Sequence, residues 1–221
     1  SLFERADPTW LRRTYGIGDD QKVLVFVGRM GREKNVDLLL DAFEIVHDAR
    51  PDTVLVMVGD GPERARLEER VRNRGLSPHV IFTGTLDKAR VADVYAGSNL
   101  FFFASTTETQ GLVTLEAMAA GLPVAAVDAQ GTRDLVRHGR QGLLADATAP
   151  SLARQALAIL GDADLMRRLA REARRRAAQF SSRQQSLRLL AAYEWVAGIG
   201  LAGRSKKDQV VALQQEYSST P

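Results

Sequence analysis

The segment of residues 100–127 constrains the fold of this chain more than any other stretch. It opens with a short apolar run, residues 100–103, of the length and type of a buried β-strand. Small and hydroxyl residues follow, and from Leu112 the chain has the pattern of a helix that ends at Gly121, before a second apolar strand. The loop of residues 105–111 therefore lies at a strand's carboxyl end and a helix's amino end. Open α/β sheets bind ligands there, and the free helix N–H groups favour phosphate.

Two carboxylates bracket the start of this helix, Glu108 in the loop and Glu116 one turn inside. The neighbours of Glu116, residues 113–120, are almost all apolar, and a carboxylate in such surroundings is costly unless hydrogen-bond donors surround it. The vicinal hydroxyls of a sugar would supply two donors at once. Capping of backbone N–H groups, or an ion pair with a basic residue, would also satisfy it, so these residues alone leave both roles open.

Alternating strand and helix signals continue without a linker from residue 23 to about residue 180, which predicts a single α/β domain. We expect a Rossmann-like, doubly wound parallel sheet with helices on both faces. The predicted segments are residues 1–20, irregular with a helical turn; residues 21–200, the domain; and residues 201–221, a polar C-terminal tail. The predicted strands are residues 22–27, 53–58, 80–82, 100–103 and 124–127, and the predicted helices are residues 36–46, 64–74, 86–96, 112–120, 149–160, 163–180 and 181–196.

Glycines and cations follow the first predicted strand. Gly28 and Arg29 come directly after it, and Lys34 and Asn35 precede the next helix. Glycine lets a backbone approach a ligand closely, and the two cations lie at the ligand-binding end of the strand. A solvated basic turn would have the same composition, so this loop alone does not decide its role.

Glycine turns also close the second and third strands. Gly59-Asp60-Gly61-Pro62 has the composition of a tight structural turn, with Pro62 expected at the first position of a helix. Thr83-Gly84 closes the third strand. No G-x-G-x-x-G follows either strand, so the dinucleotide fingerprint of a doubly wound oxidoreductase is absent.

Composition narrows the class of protein further. The net charge is only +3 and aromatic residues make up 6%, so a nucleic-acid-binding surface is not indicated. The sequence has no cysteine and three scattered histidines, which excludes disulfides and thiolate metal sites and leaves no zinc-binding spacing. No apolar run approaches the roughly 18 residues of a membrane span, and no signal peptide opens the chain. We therefore expect a soluble, cytoplasmic protein.

Six arginines between residues 167 and 176 are spaced to lie mostly on one face of a helix. A solvated face is the first interpretation. A peripheral contact with an anionic membrane, at its inner face, is the alternative, because membrane attraction grows with clustered basic residues.

The spacing of Glu108 and Glu116, with seven residues between them and a following Ala-x-Ala-x-Gly-x-Pro-Val, resembles the E-x7-E motif of retaining glycosyltransferases of family four. Gly-Arg with a later Lys, the G-x-G-P turn and the strand at residues 141–144 occur in that family's order, and the resemblance covers residues 23–200. It implies one half of a two-domain GT-B fold, the C-terminal half, which binds the nucleotide-sugar donor.

The start of the chain resembles the segment that follows the interdomain linker in that family. Phe3 and the run Leu11-Arg12-Arg13 carry this likeness. The acceptor-binding N-terminal domain is therefore expected to be missing from this chain.

The resemblance also implies a role for each matching residue. Arg29 and Lys34 would hold the diphosphate, while Glu108 would bind the hydroxyls of the donor sugar. Glu116 would accept hydrogen bonds from the ribose. The expected catalytic residues are Arg29, Lys34 and Glu108, and the expected donor-binding residues are Gly28, Arg29, Lys34, Gly59, Thr83, Glu108, Thr109, Gln110, Gly111, Leu112 and Glu116.

Neither a metal nor a cofactor is expected, because no Asp-x-Asp pair lies near a strand end. Two departures from the family pattern stand out. Asn35 replaces a glycine, which is mild since asparagine tolerates unusual backbone angles. Asp134 replaces a glutamate after Gly131, and we do not assign it to the site.

By resemblance the reaction is transfer of a sugar, with retention of anomeric configuration, from a nucleotide diphosphate sugar to an acceptor hydroxyl of a lipid or glycan. The fragment alone is expected to bind nucleotide but to transfer little or nothing. The alternatives are a non-catalytic nucleotide-sugar-binding module and a nucleotide-sugar epimerase of similar fold. A glycosidase-type nucleophile is disfavoured for Glu108, since that residue faces a phosphate site. The sequence does not determine the base, the sugar or the acceptor.

Overall fold

A single parallel sheet forms the centre of the computed structural model, which describes residues 2–107 and 111–180. The strands are β1 (Lys22–Val27), β2 (Thr53–Val58), β3 (Val80–Gly84), β4 (Leu100–Phe103), β5 (Val124–Val127) and β6 (Gly142–Ala145). Their order in the sheet is β3-β2-β1-β4-β5-β6, and each neighbouring pair is parallel. The expected Rossmann-like α/β class is therefore confirmed.

Helices connect the strands along the described part of the chain. They are α1 (Trp10–Tyr15), α2 (Val36–Ala49), α3 (Arg64–Asn73), α4 (Lys88–Ala96), α5 (Leu112–Ala120), α6 (Gln130–Leu135), α7 (Ala149–Gly161) and α8 (Ala163–Ala178), with short 3-10 turns at Leu2–Arg5 and Arg32–Lys34. The strongly periodic segments were predicted correctly because an apolar stripe every three to four residues identifies a helix that packs on a core.

Two local expectations differ from the structure. The helix α6 was not predicted, because it has only six residues and its N-cap residue, Ala129, makes no side-chain capping bond. Pro62 is not the first residue of a helix: it lies in the turn before Glu63, which is the N-cap of α3. The helix predicted at residues 181–196 and the tail at residues 201–221 lie outside the described residues.

The strand order creates a switch point between β1 and β4. From β1 the chain moves outward to β2 and β3, and then returns to the other side of β1 as β4. Connections leave the carboxyl ends of these two neighbouring strands in opposite directions, which opens a crevice above the sheet. The crevice is bounded by the loops that follow β1 and β4.

Aromatic rings form the part of the core beneath this crevice. Phe26, Phe101 and Phe103 are each at most 1% exposed. The rings of Phe26 and Phe103 stack with centroids 5.9 Å apart, and those of Phe101 and Phe103 stack at 5.3 Å. The strand ends that hold the two loops are therefore anchored by close packing.

The 3-10 turn at Leu2–Arg5 and helix α1 pack against α4. The backbone N–H of Asp7 donates to the buried carboxylate of Asp93 at 2.7 Å, and the guanidinium of Arg90 lies 4.9 Å from the ring centroid of Trp10. One compact unit spans Ser1–Ala177. The three-segment division expected from the sequence stays a prediction. Within the described ranges, none of the helices has the length and apolar character needed to cross a bilayer.

Three arginines of α8 donate to backbone carbonyl groups outside their own helix. Arg174 donates to the carbonyl of Ala120, the last residue of α5, and Arg176 donates to that of Asp134, near the end of α6, each at 3.0 Å. Arg168 donates to the carbonyl of Gly139 at 3.0 Å. Helix C-termini carry unpaired carbonyls and partial negative charge, so arginines stabilise them. Part of the arginine cluster thus has a structural role, and the membrane contact stays a prediction.

Candidate functional site

The loop after β1 carries the two predicted phosphate-binding cations. Arg29 is exposed, and Lys34 ends the 3-10 turn that leads into α2. Asn35 joins that turn to α2 with φ 51° and ψ 43°, a left-handed conformation. It is the only non-glycine residue with positive φ in the part of the chain that the structure describes. Asn35 thus adopts the kind of unusual backbone angle that asparagine tolerates.

Hydrogen bonds tie the loop after β4 to the loop after β1. The hydroxyls of Ser105 and Thr107 both donate to the carbonyl of Glu33, at 3.4 and 3.1 Å. The Nζ atom of Lys34 lies 6.0 Å from the ring centroid of Phe103, at the carboxyl end of β4. Lys34 therefore lies in the crevice between β1 and β4, although it is far along the chain from β4.

Helix α5 begins at this same crevice. Its N-cap is Gly111, with φ 61°. The first N–H groups of a helix have no intrahelical partner, and the partial positive charge at that end favours an anion. The side chain of Leu112, the first helical residue, is 57% exposed. Glu108, Thr109 and Gln110 lie outside the described residues.

The second carboxylate of the motif lies one turn into α5. Glu116 is an exposed residue, yet partial burial of its carboxyl group raises the pKa of that group. The nearby charge of Lys88 and a hydrogen bond from Tyr95 act in the opposite direction and favour the charged form. Lys88 on α4 thus acts on Glu116 through its charge, and the sequence's two alternatives for Glu116, an ion pair or a ligand contact, stay open.

Tyr95 on α4 belongs to the core, since it is only 1% exposed. Its hydroxyl, however, donates to the carbonyl of Val113 at 3.2 Å, and the carboxylate of Glu116 is close enough to affect its ionisation. Burial and the neighbouring Glu116 raise the pKa of this phenol well above its usual value. The available signal was chemical: a buried tyrosine hydroxyl requires a partner. No sequence signal identified Lys88.

The two glycine turns after β1 and β2 pack directly on one another. A Cβ atom at Gly59 would lie 2.1 Å from the carbonyl oxygen of Gly28, and one at Gly61 would lie 2.4 Å from that of Met30. The N–H of Met30 donates to the carbonyl of Asp60 at 2.8 Å. Close backbone contact therefore accounts for both glycines of the G-x-G-P turn, as expected for a tight structural turn.

Thr83 lies apart from this cluster. It belongs to β3, two strands from β1, and its hydroxyl donates to the carbonyl of Gly84 at 2.8 Å. Gly84 in turn accepts from the N–H of Gly59 at 2.9 Å, which connects the strand end to the glycine turns. The predicted roles of Gly59 and Thr83 at the nucleotide stay predictions.

The arrangement can bind an anion and a polyol together. Two cations and the amino end of α5 suit phosphate groups, and the Glu116 carboxylate one turn away suits paired hydroxyls. Across residues 2–107 and 111–180, no three histidine, aspartate or glutamate side chains come together to hold a metal ion.

Comparison with known proteins defines the class to which this fold and site belong. The sequence model of the family Glycosyl transferases group 1 matches residues 9–176. The chain therefore belongs to this family, and its sheet is that of the C-terminal domain of a GT-B enzyme.

One curated relative is N-acetyl-alpha-D-glucosaminyl L-malate synthase of Bacillus anthracis. It is 34% identical over 175 residues, which cover 78% of this chain and 45% of the relative. This chain thus spans about half the length of the curated relatives it matches.

Two solved structures show the same fold. The C-terminal domain of a group 1 glycosyl transferase of Francisella tularensis matches with a TM-score of 0.69 and 22% identity, covering 80% of this chain and 93% of that one. An Anabaena protein in complex with UDP-glucose matches with a TM-score of 0.73 and 26% identity, covering 84% of this chain and 52% of that one.

Proposed function

We propose that this chain is the donor-binding half of a retaining glycosyltransferase that moves a sugar from a nucleotide diphosphate sugar to an acceptor hydroxyl. The observation that supports this proposal most is the contact between the loop after β1 and the loop after β4, at the switch point of the sheet. The loop that carries Lys34 is hydrogen-bonded to the loop that leads into α5. A cation and the amino end of helix α5 thereby border one crevice.

The diphosphate of the donor would be bound by Arg29, Lys34 and the first N–H groups of α5. As the glycosidic bond breaks, the leaving nucleoside diphosphate gains negative charge, and preorganised donors stabilise a transition state most where such charge develops. The dipole of helix α5 and the side chains of Arg29 and Lys34 would both act on the oxygens of the diphosphate. The proposal therefore requires no metal ion.

The ribose and the sugar of the donor would contact the two carboxylates, Glu116 and Glu108. Glu116 would accept hydrogen bonds from the ribose hydroxyls, because a partly desolvated carboxylate gains most from two donors. Glu108 is proposed, from the family resemblance, to bind the donor sugar. The Anabaena protein of similar fold binds UDP-glucose, which supports a nucleotide sugar as the ligand class.

The acceptor would be bound by a separate N-terminal domain. In support, the chain spans 45% of the length of a curated relative that is named as a synthase. On this proposal the present chain binds nucleotide and transfers little or no sugar by itself.

Thermal melting with UDP, GDP and ADP tests the proposal. A ligand at a hundred times its dissociation constant stabilises the native state by roughly 2.7 kcal/mol, or about 5–10 °C for a domain of this size. We expect one diphosphate to produce this shift in the wild type, with or without EDTA, and a much smaller shift in Lys34→Ala.

Lys22→Ala is the matched control, since Lys22 begins β1 at the end of the strand opposite Lys34. It should retain the full nucleotide shift. No shift with any diphosphate at millimolar concentration, or an equal loss in both lysine variants, would contradict the proposed site. A shift that disappears in EDTA would contradict the metal-free mechanism.

A further inference from the structure

The backbone carbonyl of Glu33 accepts hydrogen bonds from two hydroxyls of the loop after β4. Thr107 donates to it at 3.1 Å and Ser105 at 3.4 Å, from positions 74 and 72 residues further along the chain. Glu33 directly precedes Lys34, the last residue of the 3-10 turn that leads into α2. The two bonds therefore attach the backbone beside Lys34 to the segment that connects β4 with α5.

Burial accounts for one of these two bonds and not for the other. Ser105 is 0% exposed, and a buried hydroxyl needs a partner inside the protein. Thr107 is exposed, so water would satisfy its hydroxyl equally well. The contact of Thr107 with the same carbonyl therefore has a reason other than the satisfaction of a buried polar group.

The turn that carries Lys34 has only local bonds of its own. The N–H of Lys34 donates to the carbonyl of Gly31, and the N–H of Asn35 donates to that of Arg32, each at 3.0 Å. Such bonds join residues three apart, so they determine the shape of the turn but not its distance from α5. The bonds to the Glu33 carbonyl come from the other loop, and they determine that distance.

We propose that Ser105 and Thr107 are positioning residues of the diphosphate site, whose hydroxyls hold the turn of Lys34 beside the amino end of α5. This inference rests on the function proposed above, in which Lys34 and the first N–H groups of α5 bind one diphosphate. Fixing a loop before the ligand arrives reduces the conformational entropy lost on binding. Neither hydroxyl would itself contact the donor.

The first test measures the dissociation constant of whichever of UDP, GDP and ADP stabilises the wild type, by calorimetric titration of the whole 221-residue chain. Thr107→Val keeps the branched shape of the side chain and removes its hydroxyl, while Ser105→Ala removes the other hydroxyl. We expect Thr107→Val to raise the dissociation constant about threefold and the combined variant to raise it about tenfold, because a net hydrogen bond contributes a factor of roughly 2–12. If Ser105→Ala lowers the melting temperature, Thr107→Val carries the test alone, since its site is exposed.

Two controls lie in the same loop. Thr107→Ser retains a hydroxyl at that position and should bind the nucleotide as the wild type does. Thr106→Val makes the same substitution at the exposed residue between the two donors, and it should leave the dissociation constant unchanged. A loop that is disturbed by any valine would weaken binding equally in Thr106→Val and Thr107→Val.

The second test determines whether the two hydroxyls act through Lys34. In a Lys34→Ala background, removal of both hydroxyls should cause no further loss of nucleotide affinity, because the charged group that they position is absent. A general loosening of the site would lower the affinity by the same factor in both backgrounds.

Three outcomes would overturn the inference. They are an unchanged dissociation constant in Thr107→Val, an equal loss in Thr106→Val and Thr107→Val, and a full further loss in the Lys34→Ala background. With any of these, weaker binding by Lys34→Ala alone would leave the proposed function standing. Unchanged binding by Lys34→Ala alone would remove the proposed function and this inference together.

Discussion

Gly59→Ala perturbs the contact between the two glycine turns that border the crevice. Gly59 has φ +124°, a conformation that residues with a Cβ atom rarely adopt. The added Cβ would lie 2.1 Å from the carbonyl oxygen of Gly28. Because that oxygen belongs to the backbone, the clash can be relieved only if the loop after β1 moves, and Arg29 moves with this loop.

The expected cost has two parts. A non-glycine residue in such a backbone conformation costs about 1–3 kcal/mol. The contact must also open from 2.1 Å to the 3.4 Å or more of ordinary van der Waals contact, and overpacking of this kind costs about 1–3 kcal/mol. Together they lower the free energy of unfolding by roughly 2–6 kcal/mol. At about 2–4 °C per kcal/mol, the melting temperature falls by roughly 4–24 °C.

Gly75→Ala is the matched control. Gly75 also has positive φ, +71°, but no atom lies within 4 Å of the position that the methyl group of an alanine would occupy there. Only the backbone cost of about 1–2 kcal/mol remains. Urea unfolding and thermal melting of both variants measure the difference, and nucleotide binding should weaken in Gly59→Ala alone. If Gly59→Ala unfolds like Gly75→Ala, the close packing of the two turns is refuted.

Two further predictions concern helix α5. Because the pKa of Glu116 is raised in the folded state, the folded protein binds this proton more tightly than the unfolded chain, and stability falls as pH rises above 4.5, the ordinary value. Glu116→Gln should therefore have a higher melting temperature than the wild type at about pH 7 and lose this advantage below about pH 4.5. A difference in melting temperature that stays constant with pH would contradict a raised pKa of Glu116 as the cause. Arg174→Ala should lower the melting temperature by about 1–3 °C, since the carbonyl of Ala120 at the end of α5 loses its donor. Arg171→Ala, an exposed position on α8, should change it less, and equal shifts would contradict a capping role.

The candidate site was only partly predictable, and Glu116 illustrates the limit. Its sequence position identified a carboxylate among apolar residues, and the structure shows the raised pKa that such surroundings produce. The sequence did not indicate that Lys88 and Tyr95 face it. Those contacts depend on how α4 and α5 pack, and the hydropathy of neither helix specifies which polar atoms meet.

By itself, the sequence determined which segments form strands and helices, and it placed the candidate functional loops at the carboxyl ends of the strands. Apolar runs bounded by glycine and proline identify the strands, and the alternation of strand and helix requires parallel pairing, so the loops after β1 and β4 must share one edge of the sheet. Only the tertiary structure decided that β1 and β4 are neighbours, which ties Ser105 and Thr107 to Glu33 and brings Lys34 over Phe103. It alone decided that Arg174 caps α5. The physical reason is the distance along the chain over which interactions act. Local patterns determine backbone conformation, whereas contacts between residues distant in sequence depend on strand order and on the packing of whole elements.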